Sequence, residues 1–153
     1  MSLGVLPELQ ISKITDNPWP LGWKGRTCIM GVINVTPDSF SDGGLYQSVE
    51  NSCKRASDLI DQGADLLDIG AQSTRPKADE VGTEEELRRL IPALLAIRGE
   101  HPDVLISIDT FDSKVAEEAL LKGANWINDV SAGRHDSRLL NVVADAECPF
   151  VIC

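Results

Sequence analysis

The chain has 153 residues, of which 14 are Lys or Arg and 24 are Asp or Glu, so its formal net charge of −10 works against a nucleic-acid backbone as partner. Its 42% hydrophobic content is that of a folded domain, and no apolar run approaches the roughly 20 residues needed to cross a bilayer. Residues 1–10 lack the basic and then apolar order of a signal peptide, so a cytoplasmic protein without membrane attachment is expected.

In chain order the elements alternate. Strands are expected over 28–35, 66–71, 105–110, 126–130 and 150–153, each rich enough in Ile, Leu and Val to be covered on both faces, as parallel strands are. Between the first two, a helix over about 48–62 turns Ala56, Leu59 and Ile60 inward and closes at Gly63. The next starts at Thr83, which with Glu86 forms a capping box, and carries Leu87, Leu90, Ile91, Leu94 and Leu95 on one face. Pro92 within it removes a hydrogen bond and predicts a kink. Glu84, Glu85 and Glu86 suit the positive end of the helix dipole, a structural role. A third helix starts near Ser113 with Val115, Ala119 and Leu120 inward and closes at Gly123, and a fourth spans 137–146. The order βαβαβαβαβ gives an α/β class with a parallel sheet.

Cys28, Cys53, Cys148 and Cys153 form no C-x-x-C pair, so neither a disulfide framework nor a zinc site is expected. Trp19, Trp23 and Trp126 read as packing residues, since none ends a strand. His101 and His135 read as surface residues.

One frame occurs twice. Gly63-Ala64-Asp65-Leu66-Leu67-Asp68 and Gly123-Ala124-Asn125-Trp126-Ile127-Asn128 share Gly-Ala-[Asp/Asn]-x-x-[Asp/Asn], each at a helix end entering a strand. In a (β/α) barrel, inward residues of alternate strands share a layer, which would put Asp68 and Asn128 at similar depths. A Rossmann sheet is the rival, weakened because no G-x-G-x-x-G follows the first strand and no GxxxxGK[ST] occurs. Asp68 lies inside an apolar strand and reads as a hydrogen-bonded structural carboxylate in preference to a ligand.

Chemistry gathers at four strand ends: Asn34; Ser73-Thr74-Arg75-Pro76; Asp109-Thr110; and Asn128-Asp129. Arg75 offers a planar fork for an anion, while Asp109 and Asn128 can accept from and donate to the edge of an amino-substituted ring. No Ser-His-Asp or Cys-His arrangement supplies a nucleophile.

These residues carry a resemblance. Val32 to Gly44, reading VINVTPDSFSDGG, and Leu67 to Pro76, reading LDIGAQSTRP, resemble the two signature segments of dihydropteroate synthase; Ile106 to Thr110 and Trp126 to Val130 resemble its third and fourth strands. The resemblance covers 26–153. It implies a TIM-type (β/α)8 barrel, of which this chain supplies the first four βα units and part of strand five, with residues 1–25 an extension packing on the barrel base. The activity implied joins 6-hydroxymethyl-7,8-dihydropterin pyrophosphate to p-aminobenzoate in folate biosynthesis, by a homodimer at full length.

Carried over by residue, the resemblance implies that Asn34 ligates Mg2+ on the pyrophosphate. Asp109 and Asn128 contact the pterin edge, and Thr74 and Arg75 lie near the pyrophosphate and the p-aminobenzoate pocket. Asp38, Phe40, Ser41 and Asp42 lie on a first loop that closes over the site. The implied mechanism is dissociative: pyrophosphate leaves, the electron-rich ring and a nearby carboxylate stabilise the cation, and the arylamine attacks, which needs no protein nucleophile.

The chain departs from the family's pattern in having Gln72 where Glu is usual and Lys77 where Gly is usual, which bears on second-loop charge and flexibility. A complete barrel takes roughly 250 residues, and the family's later Asp, Lys, Arg and His ligands have no counterpart here. The first half of a longer protein, or a truncated chain with Met1-Ser2-Leu3 as an expression remnant, is therefore expected. In isolation it would associate through its open edge strands or be poorly soluble, and would lack synthase activity. A pterin-dependent methyltransferase and a non-catalytic pterin-binding module are the alternatives.

Overall fold

The computed structural model describes residues 17–35, 42–72 and 82–153. Along the chain it forms β1 (Met30–Asn34), α1 (Asp42–Asp61), β2 (Leu66–Gly70), α2 (Thr83–Glu100), β3 (Leu105–Asp109), α3 (Ser113–Leu121), β4 (Trp126–Asp129), α4 (Arg138–Ala146) and β5 (Phe150–Ile152). The strands pair in parallel in the order β1-β2-β3-β4-β5, so β1 and β5 are the outer strands and each crossover steps to the adjacent position.

Pairing aligns like with like. Ile33, Ile69, Ile108, Ile127 and Phe150 fall in one row across the sheet, with Gly31, Leu67 and Ile106 in the row below on the same face. This face packs against the helices: Ile33, Leu67, Ile69, Ile106, Ile108 and Ile127 join Ala56, Leu90, Leu94, Ile97, Val115, Ala119 and Leu139 in one core. Burying such side chains contributes roughly 1.5–3 kcal/mol each and dominates the stability of the domain. The alternate positions of the same strands point the other way. There Asn34, Gly70, Asp109, Asn128 and Val151 form the top row, and Val32, Asp68, Ser107 and Trp126 the next. Polar groups thus rise toward the carboxyl ends of the strands on one face only.

The helices match the expected order with local differences. α1 begins at Asp42 rather than near Ser48, running through Gly43 and Gly44 despite their poor helix propensity. Ser48, Ser52, Cys53 and Ala56 are buried along it, and this packing overrides the local preference. On α2 the buried stripe is Glu86, Leu90, Ala93, Leu94 and Ile97. Leu95, expected inward, is 48% exposed because this stripe leaves it on the far flank. The helix continues through Pro92 to Glu100.

The capping box does not form. Gly82 holds the cap position, so Thr83 is already inside the helix, and its hydroxyl donates to Asp112 Oδ2. Asp112 in turn caps α3 by accepting from the backbone N–H of Lys114 at 2.8 Å and Val115 at 3.2 Å. Gly63 (φ +97°) and Gly123 (φ +107°) close α1 and α3 in the left-handed region, which residues with a Cβ rarely enter.

At the opposite end of the sheet, Trp126 Nε1 donates to the Pro18 carbonyl, Trp19 lies edge-on to Trp126 with centroids 5.0 Å apart, and Trp19 stacks on Trp23 at 4.5 Å. The described part of the amino-terminal segment therefore lies across the amino-terminal strand ends. His101 is half-buried, against the surface position expected, because it forms a 2.9 Å hydrogen bond with Ser57. Cys53 and Cys148 are free thiols pushed up to about 11 by burial, which leaves them protonated and inert.

Arg98 ties several loops at this end. Its guanidinium donates to the carbonyls of Pro102, Val104 and Gly123 at 2.9, 2.6 and 2.8 Å and to Asn125 Oδ1 at 2.8 Å. Asn125 Oδ1 also accepts from the Ile106 N–H that enters β3. Replacing Arg98 by Met removes the donor from all four acceptors and leaves Asn125 Oδ1 with the Ile106 N–H alone. We expect R98M to lose about 3 kcal/mol of stability, read as a lower urea midpoint with an unchanged slope.

Candidate active site

The site is built where the top row of the polar face meets the loops that follow each strand. Asn34 ends β1 and lines, with Ser48, Asn51, Ser52 and Arg55 of α1, a 430 Å³ cleft between β1 and α1 that Asp109 and Asn128 do not border. Asp109 ends β3 and Asn128 stands beside it in register on β4. Gly70, between Asn34 and Asp109, leaves room for the aspartate: a Cβ there would stand 3.3 Å from both Cβ and Oδ2 of Asp109. A side chain at position 70 would therefore displace the carboxylate.

Asp68, one turn of the pleat below, is 4% exposed and accepts from Asn128 Nδ2 at 3.0 Å through Oδ2. The two aligned frames of the sequence thus place their last residues in direct contact from strands that are not neighbours. Asp129 separates from Asn128 by the same alternation. It is fully buried, accepts from Ser131 N at 2.7 Å and Gly133 N at 2.6 Å, and holds the turn after β4.

Negative charge is concentrated here. The Asp109 carboxyl is pushed up to about 6, first by burial and then by the charges of Asp68, Glu86 and Asp129. Glu86, one of the three first-turn acids of α2, does more than face the helix dipole. It is fully buried, and burial raises its pKa against the opposing hydrogen bonds of Gln72 and Thr110; Oε2 accepts from Gln72 Nε2 at 2.5 Å. The amide at position 72 therefore supplies a donor where a second carboxylate would oppose Glu86. Glu85 does remain at the surface, held down to about 2 by hydrogen bonds from Arg88 and Arg89.

The structure brings together Asn34, Asp109 and Asn128 of the expected set. Asp38, Phe40, Ser41, Thr74 and Arg75 lie outside the described residues, and Asp42 opens α1 instead of lying on the loop. Sequence reasoning missed Gly70, Glu86 and the contact of Cys153, whose Sγ lies 3.8 Å from Asn128 Oδ1. Counting two residues on from Asp68 would have put Gly70 on the site face. His135, expected at the surface, is exposed but lies against Phe111, with ring centroids 4.1 Å apart, in the loops after β4 and β3.

A parallel sheet with its ligand groups at the carboxyl strand ends has known counterparts. The profile of the family described as "Pterin binding enzyme" matches residues 30–153. This chain belongs to that family. It is 53% identical over 133 residues to the mitochondrial folate synthesis bifunctional protein of Pisum sativum, covering 86% of this chain and 26% of that protein. It is 43% identical over 143 residues to the dihydropteroate synthase of Bacillus subtilis (strain 168), covering 94% of this chain and 50% of that one. A solved structure of the Xanthomonas albilineans dihydropteroate synthase with 4-aminobenzoic acid superposes with a TM-score of 0.74 at 46% identity, over 82% of this chain and 46% of that one. The chain thus spans about half of the bacterial relatives and about a quarter of the pea protein. The architecture is the first four βα units and part of strand five of a TIM barrel.

Asp109 makes the fold pH-sensitive. Because its folded pKa of about 6 exceeds the ordinary 3.8, its stabilising contribution is complete below pH 4 and is lost as pH rises through 6. We expect D109N, which cannot ionise, to match the wild type near pH 4 and to exceed it by about 2 kcal/mol at pH 8, by urea denaturation at both values.

Proposed function

We propose that this chain forms the first half of a dihydropteroate synthase, which condenses 6-hydroxymethyl-7,8-dihydropterin pyrophosphate with p-aminobenzoate to give 7,8-dihydropteroate and pyrophosphate. The observation that carries the reading is the row Asn34, Gly70, Asp109, Asn128 at the carboxyl mouth of a barrel whose relatives bear that name. A ring bearing amino and N–H groups suits Asp109 as acceptor and the Asn128 amide as mixed donor and acceptor. The protein's part is to hold the pterin, align the arylamine behind its methylene carbon and keep water away while the leaving group departs.

The donor set fits Mg2+. Among the described residues no group of three His, Cys, Asp or Glu could cage a metal. Asn34 offers a single amide oxygen, and it lies exposed at its strand end. That suits a hard cation which keeps several waters and takes its other ligands from phosphate oxygens. Bound there, Mg2+ would neutralise charge on the departing pyrophosphate. Thr74 and Arg75, with Asp38, Phe40, Ser41 and the first residue of α1, Asp42, are assigned by the resemblance to the pyrophosphate and p-aminobenzoate side.

The proposal includes a cytoplasmic location and a homodimer at full length. No helix among the described residues is long and apolar enough to cross a membrane; the name of the pea relative, which places that protein in the mitochondrion, points to the alternative location.

The test is formation of 7,8-dihydropteroate from the two substrates by the protein at its natural length, with and without Mg2+. N34A is expected to lower Mg2+-dependent turnover about 100-fold, corresponding to several kcal/mol of leaving-group charge stabilisation, with an unchanged thermal midpoint. Turnover of N34A equal to wild type would remove Asn34 from the site, and absence of product from the wild type would refute the synthase reading.

A further inference from the structure

Asp68 is the one carboxylate of the polar face whose place a structural role does not explain. It is 96% buried, on a strand that is buried along its whole length. A carboxylate kept there for stability would have both oxygens satisfied, since each unpaired buried acceptor costs about 1–3 kcal/mol. Among the described residues Asp68 makes one bond, from Asn128 Nδ2 to Oδ2, and its Oδ1 has no partner. That single bond crosses two strands, from β2 to β4, and ends on a residue of the proposed pterin edge.

An asparagine amide turned by half a revolution exchanges its oxygen and nitrogen with almost no change in shape. Asn128 would thus present two opposite hydrogen-bonding patterns to a ligand. The Asp68 oxygen that faces the amide removes the choice, because it accepts from Nδ2. Facing Asp68, the NH2 group of Asn128 points along the polar face toward β2, one row below, which leaves Oδ1 on the side of Cys153. The second Nδ2 hydrogen is left to lie beside it. Asp109, next in register, adds another acceptor.

We propose that Asp68 is a positioning residue that fixes the order of acceptor and donor on Asn128 and so selects a ring edge carrying an exocyclic amino group over one carrying oxygen. The inference rests on the pterin reading above and deepens it. Asp68 acts through Asn128 and touches no ligand itself.

The experiment measures, by calorimetry on the protein at its natural length, binding of 6-hydroxymethylpterin and of 6-hydroxymethyllumazine, which has oxygen in place of the 2-amino group. The wild type is expected to prefer the pterin. D68N is isosteric but its amide donates as readily as it accepts, so the preference falls several-fold; D68A, with no acceptor, reduces it about 10-fold, the effect of one ordered hydrogen bond. In parallel, NMR of the Asn128 side-chain amide should show one Nδ2 proton protected from exchange in the wild type and unprotected in D68A. If both variants melt as cooperative folds and keep the wild-type preference within two-fold, Asp68 does not position Asn128. A wild type that binds neither compound, or binds both equally, would refute the pterin reading first, which separates the two failures.

Discussion

Everything at the mouth of this sheet depends on the in-register pairing of β1 to β4. Parallel strands alternate their side chains with a period of two, and the pairing keeps all four in phase. Ile33, Ile69, Ile108 and Ile127 meet the helices in one row, while Asn34, Gly70, Asp109 and Asn128 share the next row on the opposite face. A slip of one residue in any strand would bury its polar set under the helices and lift its isoleucine into the site. Hydrophobic burial against α1 to α4 therefore fixes the position of the polar groups without any contact between those groups being required.

The carboxyl end of the sheet then has to contain the charge it concentrates. Asp68, Asp109, Glu86 and Asp129 crowd one end of the sheet, and each is handled differently. Asp129 accepts from the backbone N–H groups of Ser131 and Gly133 in the turn after β4. Glu86 takes a donor from Gln72, and the family's usual Glu at that position would oppose carboxylate to carboxyl in a buried place. Asp109 is left with its basicity raised, ready to accept from a ligand. The rim above is laced by Thr83 to Asp112, Lys114 to Glu84 and Ser113 N–H to Asp136, so the amino-terminal ends of α2 and α3 and the approach to α4 are held together around the mouth.

Much of this was legible in the residue order. The five strands, four helices and closing glycines were readable because continuous apolar runs and 3.6-residue periodicity leave few alternatives. Asn34, Asp109 and Asn128 were readable because each polar residue interrupts or ends such a run. The capping box and the inward Leu95 were misread for one reason: both assumed that α2 answers only to its own local pattern. Its first turn is instead recruited by α3, through Asp112, and by the second strand's exit, through Gln72.

The sequence by itself determined the parallel α/β order and which residues stand at strand ends, since both follow from periodicity, a property of neighbours along the chain. Only the tertiary structure decided that Asp68 faces Asn128 from 60 residues away, that Gly70 clears space for Asp109 and that Glu86 lies buried beneath Gln72. Those relations depend on strand register and sheet curvature, which fix distances between residues that share no local pattern.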